Sequence, residues 1–150
     1  MRTIKSEQFL PVTIEKAWEF FSNPKNLNEI TPENMSFKIL TELPTKVHEG
    51  LLIKYKVSPL LNIPMNWVTR ICKVDEPNLF MDEQLEGPYK VWKHEHHFKK
   101  VDDGVLMTDI VTYDIGKGFL GDIAGWLFVH ARVEGIFTYR KTKLEQLFGK

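Results

Sequence analysis

The spacing of apolar positions changes its period twice along the chain, and those changes mark out the elements. Residues 3–10 alternate with period two and run into Pro11, the pattern of a strand that ends at a turn. Thr13 stands where a helix needs its N-cap, and residues 14–22 carry Ala17, Trp18, Phe20 and Phe21 at helical spacing before Asn23-Pro24 stops the helix. A second short helix is expected over 25–30, closed by Thr31-Pro32. The period then becomes two, predicting strands at 36–43, 51–58, 65–75, 79–86, 89–101 and 105–115. Turn-forming residues separate them: Glu49-Gly50, Glu76-Pro77-Asn78, Gly87-Pro88 and Asp102-Asp103-Gly104. Helical spacing returns over 120–148, through Ile123, Leu127, Ala131, Ile136, Phe137, Arg140, Leu144 and Phe148. A helix of that length reaches about 40 Å.

Strand, two short helices, six strands and a long helix contain no repeated βαβ unit, so the expected class is α+β with an antiparallel sheet of about seven strands. A chain of 150 residues suits one domain over 1–150 and can bury roughly 70% of its unfolded surface. A sheet that curls around one long helix leaves either a filled core or a cavity between them.

Composition narrows the partners. Twenty basic residues balance twenty acidic ones, so no net field draws the chain to nucleic acid or an anionic membrane. Cys72 is the single cysteine and the first residues lack the apolar core of a signal peptide, which sets the expectation of a reducing, cytoplasmic location. Even the richest apolar stretch, 119–137, is broken by Asp122, His130, Arg132 and Glu134, so no membrane span is expected.

The hairpin WKHEHHFKKVDDGVLMTDIVTY holds the candidate chemistry. A turn at Asp102-Asp103 sets Phe98 opposite Met107, His96 opposite Asp109, His94 opposite Val111 and Trp92 opposite Tyr113, all on one face. The aromatic and apolar members direct that face inward, with Lys93, Glu95, Lys99, Thr108 and Asp114 outward. His96 and Asp109 are then expected to meet inside.

Four segments carry a family resemblance: AWEFFSNPKNLNEITP (17–32), FMDEQLEGPYKVWKHEHHF (80–98), MTDIVTYDIGKGFLG (107–121) and IFTYRKTKLEQLF (136–148). Over essentially its full length the chain resembles the START-like, or SRPBCC, superfamily of pollen allergens, polyketide cyclases and lipid-binding domains, and within it the small bacterial cyclase-like members. The resemblance implies a helix-grip fold and, more loosely, a ligand-binding cavity. It also implies that Phe80, Asp82 and Gln84 face inward, although Leu79, Met81 and Leu85 on the other face are at least as apolar. Phe80 would then lie opposite His96, Asp82 opposite His94 and Gln84 opposite Trp92. Arg140 matches the family's Tyr-Arg motif and is expected to pair with a carboxylate near the pocket floor.

Asp82, His94, His96 and Asp109 thus form a polar band on an apolar wall, open to three readings. The imidazoles and acids neutralise one another and fix register; or one of them orients a guest whose body packs on Trp67, Trp92 and Phe98; or the band performs catalysis or holds a metal. Expected ligand contacts are Trp67, Phe80, Asp82, Gln84, Trp92, His94, His96, Phe98, Met107, Asp109, Val111, Tyr113, Phe119, Leu127 and Arg140. No metal is expected, because strand spacing sets the His94 and His96 Cβ atoms about 6.5–7 Å apart and no ligand motif is present. No cofactor is expected either, since GxSxG, CxxC and nucleotide-binding glycine patterns are all missing.

Trp18, Phe20 and Phe21 read as packing between the short and long helices, Lys141 and Lys143 as a solvated face, and His48 and His130 as surface or partly buried. The segments PLLNIP (59–64) and GKGFLG (116–121) read as the access loops. Their apolar rim of Leu60, Leu61, Ile63, Phe119 and Leu120 also fits a homodimer contact or transient membrane docking. The expected function is binding or transport of a small hydrophobic molecule, lipid, polyketide or isoprenoid-like. A cofactor-independent cyclase or dehydratase, and a regulatory interaction module, are the alternatives.

Overall fold

In the computed structural model, the described residues are 1–32, 35–58, 63–116 and 123–149, with the backbone alone for 123–126. Seven strands, β1 (Arg2–Leu10), β2 (Lys38–Ile39), β3 (Leu52–Val57), β4 (Met65–Asp75), β5 (Leu79–Glu86), β6 (Val91–Val101) and β7 (Gly104–Asp114), make one antiparallel sheet in the order β1-β7-β6-β5-β4-β3-β2. Helix α1 (Ile14–Phe21) and a 3₁₀ turn at Pro24–Ile30 follow β1, and helix α2 (Ile123–Phe148) ends the chain. The architecture is the expected α+β helix-grip arrangement.

Local chemistry sets the helix starts. The Thr13 hydroxyl accepts the Lys16 amide at 3.2 Å, capping α1. Asn23 caps the next segment through the Lys25 amide at 3.1 Å, with Pro24 at its first position. That segment is 3₁₀ and not the expected second helix; the Thr31 hydroxyl closes it on the Leu27 carbonyl at 2.7 Å.

The expected strand at 36–43 is reduced to two paired residues. Ser36 takes a left-handed φ of 50°, which interrupts an extended run, and beyond Ile39 the Thr41 hydroxyl accepts the Lys54 amide in place of a backbone carbonyl. Such a short edge limits pairing with another chain. In the β4–β5 ladder the register shifts at Val68/Thr69 and again at Ile71/Lys73, where Cys72 is the extra residue. Bulges of this kind bend a sheet, here around α2. At the other edge Gly104 lets β7 approach β1, since a Cβ there would collide with the Leu10 carbonyl oxygen.

Among the described residues, polar contacts tie α2 to the sheet at different heights. His130 Nδ1 meets the Tyr113 hydroxyl at 2.7 Å, Arg140 Nη2 lies 3.3 Å from Asp109 Oδ1, and the Gln8 amide donates to the Lys141 carbonyl at 2.9 Å. His130 is therefore half-buried and engaged with the sheet. Apolar packing falls into two clusters. One joins Leu10, Trp18, Phe21, Phe80, Phe98, Met107 and Leu144; the other joins Met35, Val57, Trp67, Tyr89, Val111, Tyr113, Val129 and Val133. Among the described residues no helix is long and apolar enough to cross a membrane.

Candidate functional site

The polar band sits between the two apolar clusters, because the inward positions of β6 and β7 change character along each strand. On β7 the order is Met107, Asp109, Val111; on β6 it is Phe98, His96, His94, Trp92. The registers are those expected: His96 pairs with Asp109, His94 with Val111, Phe80 with His96 and Asp82 with His94.

The side chains do not bond along those register lines. His94 Nε2 meets Asp109 Oδ1 at 2.7 Å and His96 Nε2 meets Asp82 Oδ2 at 2.6 Å, both diagonal contacts. The expected His96–Asp109 meeting is the longer one, 3.5 Å from Nδ1 to Oδ1, and that Nδ1 is buried without a hydrogen-bond partner. Stacking explains the diagonal choice. His96 lies flat against His94, with centroids 3.7 Å apart, and against Phe80 at 4.1 Å, so both imidazoles lean together along the strand.

Burial and charge then set the protonation states. Burial pushes the Asp109 carboxyl up, but the Arg140 guanidinium and the His94 hydrogen bond outweigh it and hold Asp109 well below the usual carboxylate range. Burial, reinforced by His94 and Arg140, pushes His96 well below the ordinary imidazole value, so its ring is neutral. Burial raises Asp82 to about 6. Asp109 is thus a committed anion facing Arg140, while Asp82 and His96 share one proton.

A cavity of about 160 Å³ opens beside this band. Trp67, Phe80, Asp82, Trp92, His94, His96 and Arg140, all singled out in the sequence, line it. Phe98, Met107, Asp109, Val111 and Tyr113 do not; each is at most 3% exposed and fills the packed interior. Gln84 is spent on the turn between β5 and β6, where its amide donates to the Tyr89 carbonyl at 2.6 Å and accepts the Tyr89 amide at 3.2 Å. That side-chain pairing is why β6 begins at Val91 and not at Tyr89, and why backbone pairing of β5 with β6 stops at Glu83–Lys93. Leu127 is 56% exposed and turned away from the cavity. Phe119 lies outside the described residues, as do Leu60, Leu61 and Leu120 of the proposed rim and most of both access loops.

Other lining residues were not anticipated. Ile53, Tyr55 and Val57 of β3, with Thr69 and Ile71 of β4, complete the wall around Trp67. Their signal was available, since Tyr55 pairs with Trp67 and Ile53 with Thr69 on the same inward parity. Phe20 and Phe21 serve two purposes. They pack on Phe148 of α2, at centroid distances of 5.0 and 6.5 Å, and they also face the cavity, as do Ile136 and Phe137.

A curved antiparallel sheet gripping a C-terminal helix, with a cavity between them, is the START-like, or SRPBCC, fold. Solved structures share it. CV1439 from Chromobacterium violaceum superposes with a TM-score of 0.72 at 12% identity, covering 100% of this chain and 99% of that one. Ara h 8.0201 gives 0.61 at 14% identity over 97% and 99%. Major latex-like protein 151 from Panax ginseng gives 0.59 at 17% identity over 91% and 94%. No family model matches the chain, and no curated protein matches it. Likeness at these identities establishes the fold alone.

Proposed function

We propose that the protein binds and carries a small, largely apolar molecule bearing one polar handle. The observation that supports this reading is the cavity: aromatic and aliphatic side chains surround it on most sides, and Asp82, His94, His96 and Arg140 sit together on one wall. A void of about 160 Å³ matches a body the size of one aromatic ring. Within the expected classes this favours a compact cyclic guest over an extended acyl chain. The ring packs among Trp67, Trp92 and Phe137 while its hydroxyl or carbonyl meets the polar band.

Native mass spectrometry of the purified protein, with titration of single-ring phenols and ketones followed by tryptophan fluorescence, tests this. A saturable 1:1 adduct is expected, weakened at least about tenfold by Ile53→Trp, which fills the cavity. Failure of every ring compound to bind the folded protein would overturn the proposal.

The two His–carboxylate contacts favour one alternative, a cyclase or dehydratase. A neutral His96 sharing a proton with an Asp82 that titrates at about 6 forms a donor–acceptor pair suited to general acid–base work near neutral pH. Turnover of a bound guest that is lost in His96→Gln, with binding retained, distinguishes it from simple carriage.

A further inference from the structure

The geometry points to a divalent transition-metal site, best suited to zinc, formed by Asp82, His94 and His96 on the cavity wall. One donor atom from each of the three lies within 4.8 Å of the others, and both imidazoles are buried. The Cβ separation along a strand argued against convergence, but stacking overcomes it. With their centroids 3.7 Å apart, the two rings bring their nitrogens together on one side of the sheet beside the Asp82 carboxylate of the neighbouring strand. Two imidazoles and one carboxylate, with a coordination position left open, form a recurrent catalytic zinc set.

The surrounding groups fit an ion better than they fit each other. Asp109 approaches Nε2 of His94 at 2.7 Å and Nδ1 of His96 at 3.5 Å. It therefore engages Nε2 of His94 and leaves that ring's Nδ1 for a ligand, while His96 has its Nε2 turned to Asp82 and its Nδ1 without a hydrogen-bond partner. That is the carboxylate–histidine–metal arrangement, in which an outer carboxylate fixes the ring and increases its basicity. Arg140 in turn holds Asp109. His96 Nε2 already faces Asp82 Oδ2 at 2.6 Å, so a cation can enter between them once the ring proton moves to Nδ1, on the Asp109 side.

Charge counting agrees. Asp82 and Asp109 bring two negative charges to the buried cluster, and of the groups acting electrostatically on Asp82, Arg140 is the permanent cation. With neutral imidazoles one negative charge is left over, which a divalent ion converts to one positive charge. All three ligands line the cavity, so the open position faces the space where a guest's oxygen would sit. The site itself does not depend on any guest being bound.

The test is zinc titration of the chelator-stripped full chain against a chromophoric chelator. One equivalent of Zn²⁺ is expected to bind. Asp82→Asn, His94→Gln and His96→Gln should each weaken it more than about 100-fold, beyond the usual effect of an outer-shell change. His97→Gln and Cys72→Ser, which alter exposed donors elsewhere, should leave it unchanged. X-ray absorption at the zinc edge of the unmutated protein gives a check free of any folding defect in the variants, with nitrogen and oxygen neighbours expected at about 2.0 Å. Absence of stoichiometric zinc, an affinity that the three ligand variants leave unmoved, or sulfur in the first shell would each overturn the assignment.

Discussion

Arg140 shows how one side chain holds a buried polar group in place. It is 6% exposed, carries a fixed charge and lies 3.3 Å from an Asp109 that is 2% exposed. Removing one partner of such a pair strands the other's charge in the interior, which typically costs about 3–5 kcal/mol. Arg140→Met is therefore expected to lose that much in urea denaturation. Arg140→Met combined with Asp109→Asn should recover a large part of it, because no bare charge remains. The membership of His94, His96 and Asp109 in the band was legible from period-two spacing on β6 and β7, whereas Asp82 on β5 was placed by the family resemblance alone. The band's bonding was not legible, because strand register identifies the residues directly opposite, whereas an imidazole is long enough to reach the diagonal neighbour and here also gains a stacking partner.

At the level of elements, long strands bounded by turn-forming residues were the readable ones. Residues 65–75 and 79–86 coincide with β4 and β5, and β6–β7 has the expected two-residue turn with Asp103 at a left-handed φ of 65°. Where a side chain replaces the backbone, spacing alone misplaces the boundary. Thr41 does so beside β2, and Gln84 does so between β5 and β6. Gln84→Ala leaves both backbone groups of Tyr89 without their partner, and Tyr89 is buried. The expected loss is about 1–3 kcal/mol. Amide hydrogen exchange should place the loosening at the β5–β6 turn while zinc affinity stays unchanged, since Gln84 touches none of the three ligands.

Across the whole molecule the cavity exists because α1 and the 3₁₀ turn hold Phe20, Phe21 and Ile30 over one end of the curved sheet while Ile136 and Phe137 of α2 cover the middle. None of this could be read from spacing, because an apolar residue at helical period looks the same whether it touches a neighbour or a void. The wall also contains two phenols, Tyr55 and Tyr89. Burial raises both well above the usual value, with the Thr69 hydroxyl 3.3 Å from Tyr55 a weaker opposing influence. A raised folded-state value contributes stability that is fully present below the unfolded value of about 10 and is lost as pH rises above it. In that range the unfolded chain releases phenolic protons that the native wall retains, so the unfolded state binds fewer of them. Urea midpoints should accordingly be level between about pH 8 and 9, above the titration of Asp82 and His96, and fall steadily toward pH 11. In Tyr55→Phe the fall should be shallower, since one of the wall's two phenols no longer ionises on unfolding. An identical slope in the variant would mean that Tyr55 is not shielded as its position in the wall requires, and that water already reaches this part of the cavity.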